Sequence, residues 1–323
     1  MEKLVRVEPG RGGITRRRAG RGFTYLSANG RRVRSERILS RIEALVIPPA
    51  WTDVWIASQP NGHIQATGVD EAGRRQYLYH PKWREMRDSE KFTRSLSFAQ
   101  SLPSIRRAVT RDLKQTSDGR TRALAAAVRL IDRAGLRVGG QEYADENGSF
   151  GASTLQRRHV TIEDDTVHLR FKGKSAGDWD VVLDDDLLLA FFEEIPKSPR
   201  GAPAICYAVT SGRRKEWKGV SAGDINNYIG DLAGPHFTAK DFRTWQGTVI
   251  AARSLAQAFR RGLTAPEAQR AAIKEAAERL HNTPAVARDS YINPRVVELF
   301  EKGRVADLKR QSDQAVVRLL MSG

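Results

Sequence analysis

Cysteine is nearly absent from this 323-residue chain. The one present, Cys206, can form no internal disulfide, so a reducing, cytoplasmic compartment is expected. No apolar run approaches the ~20 residues of a membrane-spanning helix. Met1-Glu2-Lys3-Leu4-Val5-Arg6 lacks the apolar core of a signal peptide. Lipidation motifs and long basic amphipathic segments are also missing, which argues against a membrane partner. The chain has no Walker-type phosphate loop, no zinc-ligand spacing, no carboxylate cluster suited to a two-metal nuclease and no internal repeat. No cofactor and no metal are therefore expected. Acidic residues are in the minority, with 38 Asp and Glu against 54 Lys and Arg, a net charge of +16. An excess of that size points to a polyanionic partner, with double-stranded DNA the first candidate.

Residues 1–20 are rich in arginine and read as a flexible basic arm. Residues 21–82 read as a small β-rich domain. Gly22 to Ser27, an Asn29-Gly30 turn and Arg31-Arg32-Val33 suggest one hairpin. Segments 54–58 and 63–68 suggest a second, 75–79 a further strand, and Ser40 to Val46 a short helix. Residues 83–323 read as a mainly helical domain. Helical periodicity runs over 83–101 and 103–134, divided at Pro103, with Gly135 as a C-terminal cap. Strand signals at 154–155, 159–162, 167–171 and 179–183 predict a small three-stranded antiparallel sheet within it. Capping patterns at Ser221…Asp224, Thr238…Asp241 and Thr264…Glu267 open further helices. The fold class is α+β.

Four positions carry chemistry in combination. Thr283 and Pro284 suit the N-cap and first position of a helix that ends near Tyr291, because Asn293-Pro294 starts another. A tyrosine there is either a core aromatic or a nucleophile. Arg137 follows the Gly135 cap in a glycine-rich turn, Lys174 sits on a hairpin turn, and Lys240 and Arg243 occupy the first turns of a helix. Each alone reads as one more surface cation. A metal-free phosphoryl transfer, however, needs arginine and lysine to stabilise the developing charge, together with a nucleophile. Arg137, Lys174, Arg243 and Tyr291 meet both demands.

Several motifs recur in order along the chain. They are Gln76-Tyr77-Leu78-Tyr79, Leu136-Arg137-Val138-Gly139, Tyr143…Glu146-Asn147-Gly148-Ser149-Phe150-Gly151, Phe171-Lys172-Gly173-Lys174, Lys240-Asp241-Phe242-Arg243-Thr244 and Asn282-Thr283-Pro284…Ser290-Tyr291. With these motifs the sequence resembles the type IB DNA topoisomerases, in particular the small poxvirus-like enzymes found in bacteria, over nearly its whole length. The resemblance implies the tyrosine recombinase/topoisomerase IB-like fold and an ATP-independent relaxation of supercoiled DNA. Tyr291 would attack a phosphodiester and form a 3′-phosphotyrosyl link. Arg137 and Arg243 would bind the non-bridging oxygens, and Lys174 would protonate the leaving 5′-oxygen. Lys240, Gln76, Tyr77, Tyr79 and Tyr143 would contact DNA, the β-rich domain acting as a clamp. Binding as a monomer to the nucleoid follows as an expectation.

One position departs from the family pattern. Most members carry histidine nine residues before the nucleophile, and here that slot is Asn282, beside His281. An asparagine amide can donate to a phosphate oxygen but cannot carry charge. Two rival readings remain. Tyrosine recombinases share the nucleophile and arginines, but usually have histidine where this chain has Lys240. A non-enzymatic DNA-binding protein would account equally well for the charge alone.

Overall fold

A computed structural model describes residues 3–173, 177–212 and 214–322, with Tyr143 and Ser211 as backbone alone. It divides into two compact units, Met1–Phe92 and Thr93–Gly323, a boundary somewhat later than the expected 82/83.

The first unit holds β1 (Ile14–Ala19), β2 (Gly22–Ser27), α1 (Glu36–Ala44), β3 (Thr52–Ile56), β4 (Ile64–Val69) and β5 (Arg75–Tyr79). They form one sheet in the order β2-β1-β3-β4-β5, every neighbouring pair antiparallel. This corrects the expectation of a flexible arm, because β1 lies within the first 20 residues and is paired on both sides. Its basic composition hides a strand whose Ile14 fills the core beside Ile42, Val54, Ile56 and Ala66. Arg16 is likewise structural. It donates to the carbonyls of Pro48 (3.0 Å) and Trp51 (2.6 Å) and lies 4.1 Å over the Phe23 ring. The Asn29-Gly30 turn exists, but it closes on an isolated bridge between Leu26 and Arg32. The main partner of β2 is thus the preceding segment.

α2 (Pro81–Lys114) begins in the first unit and continues into the second. It runs through Pro103, where a break was expected. A proline costs the helix one hydrogen bond, but Phe98, Leu102, Ile105 and Val109 bury the same face on both sides of it. α3 (Gly119–Ala134) starts at Asp118, whose side chain accepts from the Thr121 N–H, and ends at Gly135 in the left-handed conformation, φ 71°. It is buried on most sides, with Ala123, Leu124, Ala125, Ala126, Ala127 and Val128 all in the core. α4 (Gln141–Asn147) follows.

β6 (Val160–Glu163), β7 (Thr166–Lys172) and β8 (Asp178–Leu183) make the expected three-stranded antiparallel sheet. Thr154, expected in a strand, ends a 3-10 turn over Ala152–Thr154. After α5 (Asp186–Glu194) comes a hairpin of β9 (Cys206–Ser211) and β10 (Arg214–Gly219) that was not anticipated. Arg214-Lys215-Glu216-Trp217-Lys218 is polar on both faces, so it carries no period-two signal. The rest is helical: α6 (Ala222–Ala233), α7 (Ala239–Arg260), α8 (Ala265–Arg279), α9 (Pro284–Tyr291), α10 (Pro294–Glu301) and α11 (Ser312–Met321). The capping boxes at Ser221, Thr238 and Thr264 form as their spacing predicts. Among the described residues no helix is long and apolar enough to cross a membrane.

Candidate active site

Three chain segments far apart in sequence meet beside the end of α9. The first is the turn after α3. Its Gly135 cap reverses the chain and sends Leu136 into the core, leaving Arg137 half-buried beyond it. The turn is fixed by a close crossing: Ala152 and Ser153 donate their N–H groups to the carbonyls of Arg137 (2.9 Å) and Val138 (2.7 Å). A Cβ at Gly151 would stand 2.6 Å from the Gly139 nitrogen and 2.7 Å from the Arg137 oxygen, so only glycine permits this approach.

The second segment is the N-terminal half of α7. Lys240 is exposed, while Arg243 is only 2% exposed. Asp241 does not neutralise either cation. It accepts from the Thr238 N–H (2.9 Å) and pairs with Arg94 (2.9 Å). Arg243 instead donates to the carbonyls of Gly135 and, at 2.7 Å, Leu280. One guanidinium thereby ties the Arg137 turn to the end of α8. Among the described residues its Nε has no hydrogen-bond partner.

The third segment is 280–293. Thr283 caps α9 by accepting from the Val286 N–H, and Tyr291 is the last residue of that helix. The Arg243 guanidinium carbon lies 5.1 Å from the centre of the Tyr291 ring. Asn282 Oδ1 accepts from Arg137 Nη2 at 2.5 Å, and its amide nitrogen donates to the Leu280 carbonyl at 3.2 Å. The asparagine therefore orients an arginine, a contact its sequence position alone does not reveal.

Charge is concentrated here without compensation. Among the described residues neither Arg137 nor Arg243 has a carboxylate partner, whereas the comparably covered Arg122 and Arg129 pair with Glu194 (2.5 Å) and Asp185 (2.7 Å). Burial and the nearby Arg243 push the Arg137 guanidinium down to about 10. Burial also lowers Arg243. For Tyr291, burial raises the phenol, but the charge and hydrogen bond of Arg243, with Arg137 and Lys240, outweigh it, and the net shift is downward. Such an arrangement favours an anion between the guanidiniums and an ionised phenol.

Two further residues were not singled out by sequence reasoning. Gly247, in the middle of α7, faces the nucleophile candidate: a Cβ there would lie 2.7 Å from Tyr291 Cβ and 2.9 Å from its carbonyl oxygen. The adjacent Thr248 hydroxyl accepts from the Asn293 N–H and lies 3.1 Å from the Tyr291 carbonyl, fixing the exit of α9. A glycine interrupting a strong helical pattern was the one available signal. Gly247→Ala is expected to push Tyr291 outward and slow covalent adduct formation about 10²-fold, with DNA binding retained. Single-turnover trapping measures it, and an unchanged rate would show that the close approach has no functional role.

The other site candidates divide. Lys174 lies outside the described residues. The backbone of Tyr143 lies in α4. Tyr77 and Tyr79 are exposed on one face of β5, stacked with ring centres 6.0 Å apart. Gln76 is on the opposite face, donating to Asp70 at 2.9 Å. Among the described residues no group of His, Cys, Asp or Glu is arranged to hold a metal ion.

Two family models match the chain. That for the eukaryotic DNA topoisomerase I catalytic core matches residues 80–316, and that for the bacterial DNA topoisomerase IB N-terminal domain matches residues 22–70. DNA topoisomerase 1B of Acanthamoeba polyphaga mimivirus is 31% identical over 317 residues, covering 95% of this chain and 93% of the viral protein. DNA topoisomerase I of monkeypox virus and DNA topoisomerase 1B of vaccinia virus are each 25% identical over 137 residues, 41% of this chain and 44% of theirs.

Proposed function

The chain belongs to the type IB DNA topoisomerases, and from that membership we propose how its own residues carry the reaction. The observation that supports the assignment is a phenol beside two guanidiniums that have no carboxylate partner among the described residues, one of them buried. A DNA phosphodiester enters between Arg137 and Arg243, which bind its non-bridging oxygens and stabilise the pentacoordinate transition state. The Tyr291 oxygen attacks phosphorus as its phenolic proton passes to solvent water. The Oη–P bond forms, the P–O5′ bond breaks, and Lys174 supplies the proton that the 5′-oxygen takes. The products are a 3′-phosphotyrosyl link and a 5′-hydroxyl. Reversal rejoins the strand without ATP or metal, and swivelling in between releases supercoils. Asn282 orients Arg137 and offers its second amide N–H to the phosphate. Lys240, Tyr77, Tyr79, Tyr143 and Gln76 contact the duplex, the two stacked tyrosines as one exposed surface. The protein acts as a monomer on nucleoid DNA in the cytoplasm.

The test is relaxation of supercoiled plasmid in EDTA without ATP, with a denaturing quench to trap protein on DNA and mapping of the linked peptide. Relaxation with an adduct at Tyr291 is the expected result. Tight DNA binding without an adduct would leave a non-enzymatic DNA-binding protein, and an adduct without relaxation would indicate a recombinase.

The pH profile follows from the same groups. Because the Tyr291 phenol is held below its usual value, the cleavage rate is expected to rise with pH and level off below about 10. No inflection is expected near about 6.5, the ordinary imidazole value. Asn282 does not titrate, and burial, with the charges of Arg243, Arg137 and Arg279, holds the His281 imidazole below its ordinary value, while Asp180, Glu275 and Glu278 line a groove together with it. A bell-shaped profile with a limb near that value would contradict this assignment.

A further inference from the structure

His281 has an unusual backbone. Its φ is +47°, in the left-handed region that side chains with a Cβ rarely adopt. Such a conformation is costly for a residue with a Cβ and persists only where the surroundings impose it. Here the C-terminal cap of α8 imposes it, and Trp179, 3% exposed on β8, packs against the ring. The indole and imidazole rings are stacked with centres 3.9 Å apart and planes inclined by 22°. Trp179 is itself stacked on Phe171 of β7, centres 5.6 Å apart. The imidazole thus rests on a rigid aromatic column. The bonds that fix the left-handed turn are those of a helix C-terminal cap: the His281 N–H donates to Glu278 O and the Asn282 N–H to Ala277 O.

The left-handed residue decides where the next atoms point. The His281 carbonyl lies 3.4 Å from Arg137 Nη2, and the Asn282 side-chain oxygen takes the short bond from the same nitrogen. An ordinary right-handed or extended residue at this position would turn both groups away from Arg137.

We infer that His281 is a positioning residue: held left-handed by the cap of α8, with its ring stacked on Trp179, it aims its own carbonyl and the Asn282 amide at Arg137. What this position supplies is a backbone direction, and the imidazole serves as a flat ring. This inference rests on the phosphate-binding role proposed for Arg137. It also explains why a histidine one residue from the family's usual histidine position need not do that residue's chemistry.

The test is a substitution series at His281, with single-turnover cleavage of a duplex as the readout. His281→Phe keeps a stacking ring without an imidazole, and His281→Gly adopts positive φ without a stack. Both are expected to retain cleavage within about threefold, with an unchanged pH profile. His281→Val, whose branched Cβ resists positive φ, is expected to lose about thirtyfold or more while still binding DNA. Should that variant fail to fold, His281→Ala takes its place, with an expected loss of about tenfold. Equal damage in the Phe, Gly and Val variants would overturn the inference in favour of imidazole chemistry. Wild-type cleavage in the Val variant would overturn it as well. Arg137→Ala runs in parallel. If it leaves cleavage intact, the reading of the phosphate site fails; if it abolishes cleavage while His281→Val is silent, only the positioning inference fails.

Discussion

Replacing Tyr291 with phenylalanine is expected to abolish covalent capture of DNA and plasmid relaxation, a fall of about 10⁵-fold or more. The change removes one oxygen and leaves the surroundings alone. The ring still lies under Arg243, the Gly247 contact involves Tyr291 Cβ, and the Thr248 bond involves the backbone carbonyl. Folding and non-covalent DNA binding should therefore persist, which separates this variant from a merely unfolded one. Binding is expected to weaken steeply with salt in both proteins, because it depends on phosphate contacts that release counterions. Retention of an adduct in the phenylalanine variant would mean that another side chain is the nucleophile, and peptide mapping would identify it.

The second large effect belongs to Arg243. Arg243→Ala is expected to lower the cleavage rate about 10⁴-fold, more than the roughly 10² to 10³ typical of one lost transition-state donor. Three losses coincide. The phosphate loses a guanidinium, the Tyr291 phenol loses the main charge that lowers it, and the Gly135 carbonyl loses its donor while that of Leu280 keeps only Asn282. A buried carbonyl left without that donor, as Gly135 would be, costs about 1–3 kcal/mol, so the melting temperature should fall along with the rate. Arg243→Lys tells the contributions apart. It keeps a charge, but a single ammonium cannot span two carbonyls and a phosphate in one plane. It is expected to regain part of the stability and little of the rate. If lysine restored cleavage nearly fully, charge alone would be sufficient and the forked geometry would be irrelevant.

Much of the site was legible in the sequence because its parts are local. Thr283 and Pro284 define the start of α9, and Asn293-Pro294 defines its end, so Tyr291 had to terminate a short helix. The Gly135 cap announced a turn at Arg137, and Thr238 with Asp241 announced the helix start that carries Arg243. The β6–β7–β8 sheet followed from alternation and the Asp164-Asp165 turn. Local rules failed where distant residues outweigh them. β1 is a strand because β2 and β3 flank it, although its composition suggests an arm. α2 passes through Pro103 because core contacts on both sides outweigh one missing hydrogen bond. Gln76 and Tyr77 are adjacent in sequence, yet the pleat of β5 sends them to opposite faces.

The sequence by itself determined which residue types are available, in what order, and on which helix ends and turns they stand. Those depend on interactions within a few residues, where dihedral preferences and capping decide the outcome. Only the tertiary structure decided that Arg243 is buried and bonded to two distant turns, one on either side of it in the chain, that Asn282 faces Arg137, and that Gly247 admits Tyr291. Those are contacts between segments separated by long stretches of chain. Their energy comes from close packing and from satisfying buried polar groups, and neither exists until the segments meet.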